Sequence, residues 1–280
     1  MASPRMTQRI IRCLFTFLTA LFTTLLVTMC IFAGTLCSES YLLNHMEKSQ
    51  YYQKAVQVLK EQYAAYGLPA GIEESFFASA VDEDTLYLDI RGAVKASYAG
   101  ENYTIDAKAL SKNLNDRLLA YAKQKGASIT DEVKTNLSHL SDLCIEAYKK
   151  QADQSLLRML GQYTSRYRTI VWVGIGGLAL LDILCLVMLF RVSSYAHRAV
   201  RSVNSACLGA AIMLIAYPAW LYSSGGVERL GITSPSLYAL MVSYTNSLFT
   251  AFIISGAVLA VTVITVGIIG VKLVKRHTVF

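Results

Sequence analysis

The chain has 280 residues, 54% of them apolar and 16% charged, and its 26 Lys and Arg outweigh 19 Asp and Glu by a formal +7. The apolar share gathers into four runs, residues 13–37, 169–190, 206–222 and 248–274, each near or beyond the roughly 20 residues that a helix needs to cross a bilayer's hydrocarbon. That pattern excludes a water-soluble fold. It predicts an all-α membrane protein with four transmembrane helices and a large helical extracytoplasmic domain between helices 1 and 2.

Residues 1–12 form a basic N-terminal arm containing Arg5, Arg9 and Arg12. The first span, 13–37, is read as an anchor, with a cleaved signal peptide as the alternative, because it is longer than the roughly 7 to 15 apolar residues of a signal sequence. Thr16, Ala20, Thr24 and Thr28 place a small residue at every fourth position along it. Such rows let membrane helices approach closely, within one chain or between two.

Residues 38–168 repeat their apolar positions at three and four, the helical period, with no alternating strand signal. A first helix is predicted over 39–66, with Tyr52, Val56, Leu59, Tyr63 and Tyr66 on one face. It is expected to stop at Gly67, a left-handed cap, followed by Leu68 and Pro69. A short helix follows at 73–80, then one marked by Tyr87, Ile90, Val94 and Tyr98 and closed by Gly100. Leu110, Leu114, Leu118 and Tyr121 mark the next, which Gly126 ends, and Ser128 with Asp131 predicts a capping box. The last carries Leu137, Leu140, Cys144 and Tyr148, continues the stripe through Leu156, Leu160, Tyr163 and Tyr167, and meets the second span without a helix breaker.

After the second span come a basic loop, 191–205, the third span, an outer loop, 223–247, the fourth span and a tail, 275–280. Ser234 and Pro235 are a cap and first-turn pair from which the last helix can start early. The N-terminal arm, the loop with Arg191, Arg198 and Arg201, and the end of the chain with Lys272, Lys275 and Arg276 contain no acidic residue. Short basic flanks stay in the cytoplasm, which predicts both termini inside, probing outward only at 38–168 and 223–247. The same cations are expected to contact lipid headgroups or a partner, so the basic balance gives no support to nucleic-acid binding.

Asp182 is the one ionisable residue deep inside a span, and an intramembrane acid is a functional candidate by default. Thr19 and Thr23 of the first span and Thr262 and Thr265 of the fourth lie at similar depth as potential hydrogen-bond partners. Pro218, beside Tyr217 and Trp220, predicts a kink near the outer interface, with a binding pocket as the lesser alternative. Gly174, Gly176 and Gly177 lie in an apolar helix with no following lysine, so no phosphate loop is read there. His45, His139, His197 and His277 divide between the two sides of the membrane, which disfavours a shared metal site. No cofactor is expected, and a Cys37–Cys144 disulfide is disfavoured by their separation along the helices.

The order of parts, one span, a large outer domain and three further spans, is similar to the layout of FtsX-type and MacB-type permease subunits of ABC systems. That likeness implies a permease subunit driven by a separate ATPase, but it comes with no diagnostic motif, and tetraspanins fit neither in order nor in residues. The leading expectation is a non-enzymatic integral protein of the plasma or cell membrane whose outer domain binds or senses a partner or scaffolds an assembly. Self-association through the membrane helices is a further possibility, as is a carrier built on Asp182.

Overall fold

The computed structural model describes residues 4–193, 195–225, 231–232 and 234–277. Among them, helix is the only regular secondary structure. In chain order the helices are α1 (Pro4–Gly34), α2 (Glu39–Lys48), α3 (Tyr51–Gly67), α4 (Glu74–Ala80), α5 (Glu83–Ala99), α6 (Ala107–Gln124), α7 (Asp131–Ala152), α8 (Ser155–Val192), α9 (Ala196–Ser223) and α10 (Pro235–His277), with a 3-10 turn at Leu68–Ala70. The chain divides into two compact units, one holding the long apolar helices and the other made of Glu39–Arg166 with Ile232–Leu240.

Four helices are long and apolar enough to cross a membrane, over Met6–Gly34, Ser155–Val192, His197–Ser223 and Pro235–Ile268, and most of their length lies in the first unit. Here α1 lies along α9. Ala20 faces Gly209, and Ala199, Ala206, Ala210 and Ala211 are buried along α9. Gly256 brings α10 against the Ala211 carbonyl and the Ile215 side chain, and Phe32 meets Phe252 edge-on at 5.9 Å between ring centres. The outer faces are apolar: Phe17, Ile183, Val187, Val258 and Val261 are all exposed. Most of the stretch predicted as a basic loop is helical, because α8 runs to Val192 and α9 begins at Ala196. No proline or glycine interrupts that stretch, and its arginines and alanines favour helix.

In the second unit, α3 is central and packs on α2, α4, α5 and α7, while α6 packs on α7. Two of its breaks correct the sequence expectation. The helix predicted over 39–66 is split at Gln50, whose φ of 56° is left-handed. The buried faces explain the break: Leu42, Leu43 and Met46 of α2 lie roughly a third of a turn out of phase with Tyr52, Val56, Leu59 and Tyr63 of α3, at 100° per residue. One straight helix cannot bury both. The second break lies between Ala152 and Ser155, where Asp153 leaves helical geometry and accepts from Arg158 at 2.6 Å. The helix restarts in a new phase, so Leu156 is 50% exposed and Tyr163 and Tyr167 face outward, while Leu157, Gly161 and Thr164 are buried.

The helix ends also differ in detail. Gly67 is helical with φ −79° and leaves room for the Phe77 ring, whereas the left-handed residue is Gly71, φ 68°. Thr130, not Ser128, caps α7 by accepting from the Val133 N–H at 3.3 Å. Asp82 and Asp106 cap α5 and α6 similarly, and Gly100 closes α5 at φ 79°. The helix α10 does start at Pro235, and its buried Ser236, Leu237 and Leu240 belong to a segment that joins the second unit.

Candidate functional site

The second unit carries an open cleft of about 810 Å³ bordered by the start of α5, by α6 and by the later part of α7. Tyr63 of α3 and Tyr148 of α7 form its floor, each more than nine-tenths buried. They lie there because the α3 stripe of Val56, Leu59 and Tyr63 and the α7 stripe of Leu140, Cys144 and Tyr148 pack against each other. Burial pushes both phenol groups well above the usual tyrosine range, helped at Tyr148 by a hydrogen bond to Asp89. The Cys144 thiol near Tyr63 is pushed up to about 12 by the same burial.

The two floor tyrosines differ in how their hydroxyls are used. Tyr148 donates to one oxygen of Asp89 at 2.6 Å, and Tyr103 donates to the other at 2.7 Å. The Tyr63 hydroxyl, by contrast, has no hydrogen-bond partner among the described residues, although the residue is only 3% exposed. It lines the cleft.

The rim is acidic. Asp82 is committed to its cap, accepting from the Thr85 N–H at 3.3 Å and the Thr85 hydroxyl at 2.6 Å. Those bonds hold its carboxyl below the ordinary carboxylate range. Glu83 is paired with Lys60 at 2.7 Å, so Asp84 is the rim carboxylate without a cation partner among the described residues. Across the cleft stand Asn113 and Arg117 of α6, the latter donating to the Ala80 carbonyl at 3.2 Å. An aromatic floor beneath a carboxylate is suited to a cation with an apolar stem. Nothing in the described lining couples a nucleophile to a base, and no three His, Cys, Asp or Glu side chains gather to hold a metal among the described residues.

The residues singled out from sequence lie elsewhere, in the first unit. Asp182 is half-buried and receives the Thr23 hydroxyl, 3.3 Å from each carboxylate oxygen. Thr262 and Thr265 are not brought to it: each donates to its own helix, to Val258 at 2.8 Å and Val261 at 2.5 Å. Tyr217 is 65% exposed and its ring centre lies 6.4 Å from that of Trp220, and Pro218 sits inside α9. Arg198 and Arg201 face Arg9 and Arg12 across a second cleft, while Arg191 at the end of α8 takes no part in it. The side chains of Lys272, Lys275 and Arg276 and the terminal residues 278–280 lie outside the described residues. Sequence reasoning missed Tyr63, Asp84, Asn113 and Arg117 as a group, since a tyrosine inside an apolar stripe carries the same period as core. Compared with family models, with curated proteins and with solved structures, the chain finds no match.

Proposed function

We propose that this chain is a non-enzymatic integral membrane protein with cytoplasmic termini, whose helical body stands outside and binds a partner protein, so scaffolding or sensing it, through the α5–α6–α7 cleft. One observation carries the reading: Tyr63, whose hydroxyl has no hydrogen-bond partner among the described residues, lines a cleft whose rim holds Asp84, a carboxylate in no ion pair among the described residues. A hydroxyl with no protein partner at a cleft is free to take a ligand's hydrogen bond in place of water's. A basic side chain fits, its cationic head meeting Asp84 and its stem lying on the Tyr63 and Tyr148 rings. The sidedness rests on the three acid-free basic flanks, and the membrane reading on apolar outer faces far larger than soluble monomers expose.

A single cysteine at Asn113, in a variant whose native cysteines are replaced by alanine, tests side and cleft together. In intact cells an impermeant maleimide–benzophenone reagent should label it and, on illumination, capture a defined protein. Capture should fall by about fivefold in Tyr63→Phe and in Asp84→Asn, the loss of one buried hydrogen bond or charge contact. Labelling that requires permeabilised cells would overturn the sidedness. Capture indifferent to both substitutions would overturn the cleft.

A further inference from the structure

The first unit has a cleft of its own, about 730 Å³, between the beginning of α1 and the beginning of α9. Arg9 and Arg12 enter it from α1 and Arg198 and Arg201 from α9, each pair spaced by three residues and so on one helix face. No Asp or Glu lines it, and none of these four arginines makes an ion pair among the described residues. Arg198 lies 5.2 Å over the Tyr195 ring, which orients its guanidinium without neutralising it. Ser202 adds a hydroxyl with no hydrogen-bond partner among the described residues, whereas Ser205 and Thr16 are turned back to their own helices.

Farther along the helices the lining becomes apolar, through Phe17, Ala20, Gly209 and Met213. From Arg9 to Ala20 the cleft follows α1 for roughly 16 Å at 1.5 Å per residue. Four guanidinium groups at one end repel one another until an anion joins them, and guanidinium forks match phosphate oxygens in charge and geometry. The apolar end has no use for a free phosphate. It does suit the first methylenes of a fatty chain.

We infer that this cleft binds a phosphate-bearing anion, with an anionic phospholipid as its source: the headgroup lies among Arg9, Arg12, Arg198 and Arg201, and a chain lies along Phe17 and Met213. The inference rests on the membrane reading proposed above. Basic pockets between membrane helices on the cytoplasmic side recognise anionic headgroups by this chemistry.

The test uses the full-length protein purified in mild detergent, with native mass spectrometry and thermal unfolding as readouts. Dioleoylphosphatidylglycerol should give a one-lipid adduct and raise the Tm, and dioleoylphosphatidylcholine should do neither. Glutamine at all four arginines should lower adduct occupancy by about tenfold, as expected for removal of charge-assisted contacts, while Arg191→Gln leaves it unchanged. Equal adducts in wild type and the fourfold variant, both folded by circular dichroism, would overturn the inference. So would sn-glycerol 3-phosphate binding as tightly as the lipid, since the source would then be a soluble phosphate. Carbonate extraction of native membranes keeps the two readings apart. Release of the chain into the wash defeats the membrane reading itself, whereas retention together with indifferent lipid binding defeats only this site.

Discussion

Thr23 forgoes the backbone carbonyl that its neighbours use. Thr16, Thr19 and Thr24 each donate to the carbonyl four residues back at 2.7–2.8 Å, but Thr23 turns across to Asp182. In hydrocarbon a carboxyl is tolerable only with such a partner, and a structural role requires hydrogen bonding rather than charge. Asp182→Asn is therefore expected to leave unfolding in detergent nearly unchanged, because an amide still accepts. Asp182→Leu should lose about 0.5 to 2 kcal/mol, the span found for polar contacts between membrane helices, and Thr23→Val should lose no more when added to it. Loss of activity in a folded Asp182→Asn protein would instead assign a role to ionisation and revive the carrier alternative. Asp182 was conspicuous as an acid among apolar residues, but depth offered Thr23 only as one of four candidate partners, and Thr19, Thr262 and Thr265 bond to their own helices instead. Tyr63 was not conspicuous, because nothing in its spacing separates a phenol that fills a core from one whose hydroxyl meets a cleft.

At the level of elements, the crossing of α5 and α8 depends on Gly161. A methyl group there would meet the Ser97 side chain and lie 2.9 Å from the Ser97 backbone carbon, and Ser97 is itself buried with its hydroxyl bonded to the Val94 carbonyl at 2.7 Å. Neither neighbour can yield without moving a helix. Gly161→Ala should lower stability by about 1 to 3 kcal/mol, as overpacking does. Gly174→Ala on the same helix, where nothing lies within 4 Å of an added Cβ, should be neutral or stabilising, and paired melting curves in detergent check both. A destabilisation shared equally by the two would mean that helix packing at Ser97 is not the cause. Stripes such as Leu114 and Leu118 or Leu137, Leu140 and Cys144 were read correctly because each lies inside one straight helix. The interruptions at Gln50 and Asp153 escaped because they arise from phase: each helix must point its face at α3 or at its neighbours, and a local period cannot report where those neighbours stand.

Across the whole molecule, the two units should respond differently to alkali. Tyr51, Tyr52, Tyr63 and Tyr148 are buried in the helical body, and burial raises the ionisation of each above the unfolded value. A raised value means that the folded state holds the phenolic proton more tightly. The stabilisation is complete below the unfolded pKa of about 10 and is lost as pH climbs above it. Beyond the absorbance of the exposed tyrosines, a further step of tyrosinate absorbance should thus appear together with loss of helix in this body, above pH 10, while the long apolar helices keep their ellipticity. Titration of these tyrosines without unfolding would contradict their burial.

The alanine and glycine contact between α1 and α9 carries a thermal consequence. Apolar groups already surrounded by lipid gain nothing from water when they meet, so this contact lacks the heat-capacity change of a core assembled from water. Alanine and glycine also have no rotamers to freeze. Its strength should vary little on cooling, whereas the leucine and tyrosine core of the helical body weakens as the hydrophobic drive fades. Cold would then loosen the body of shorter helices and spare the pairing of the long apolar ones.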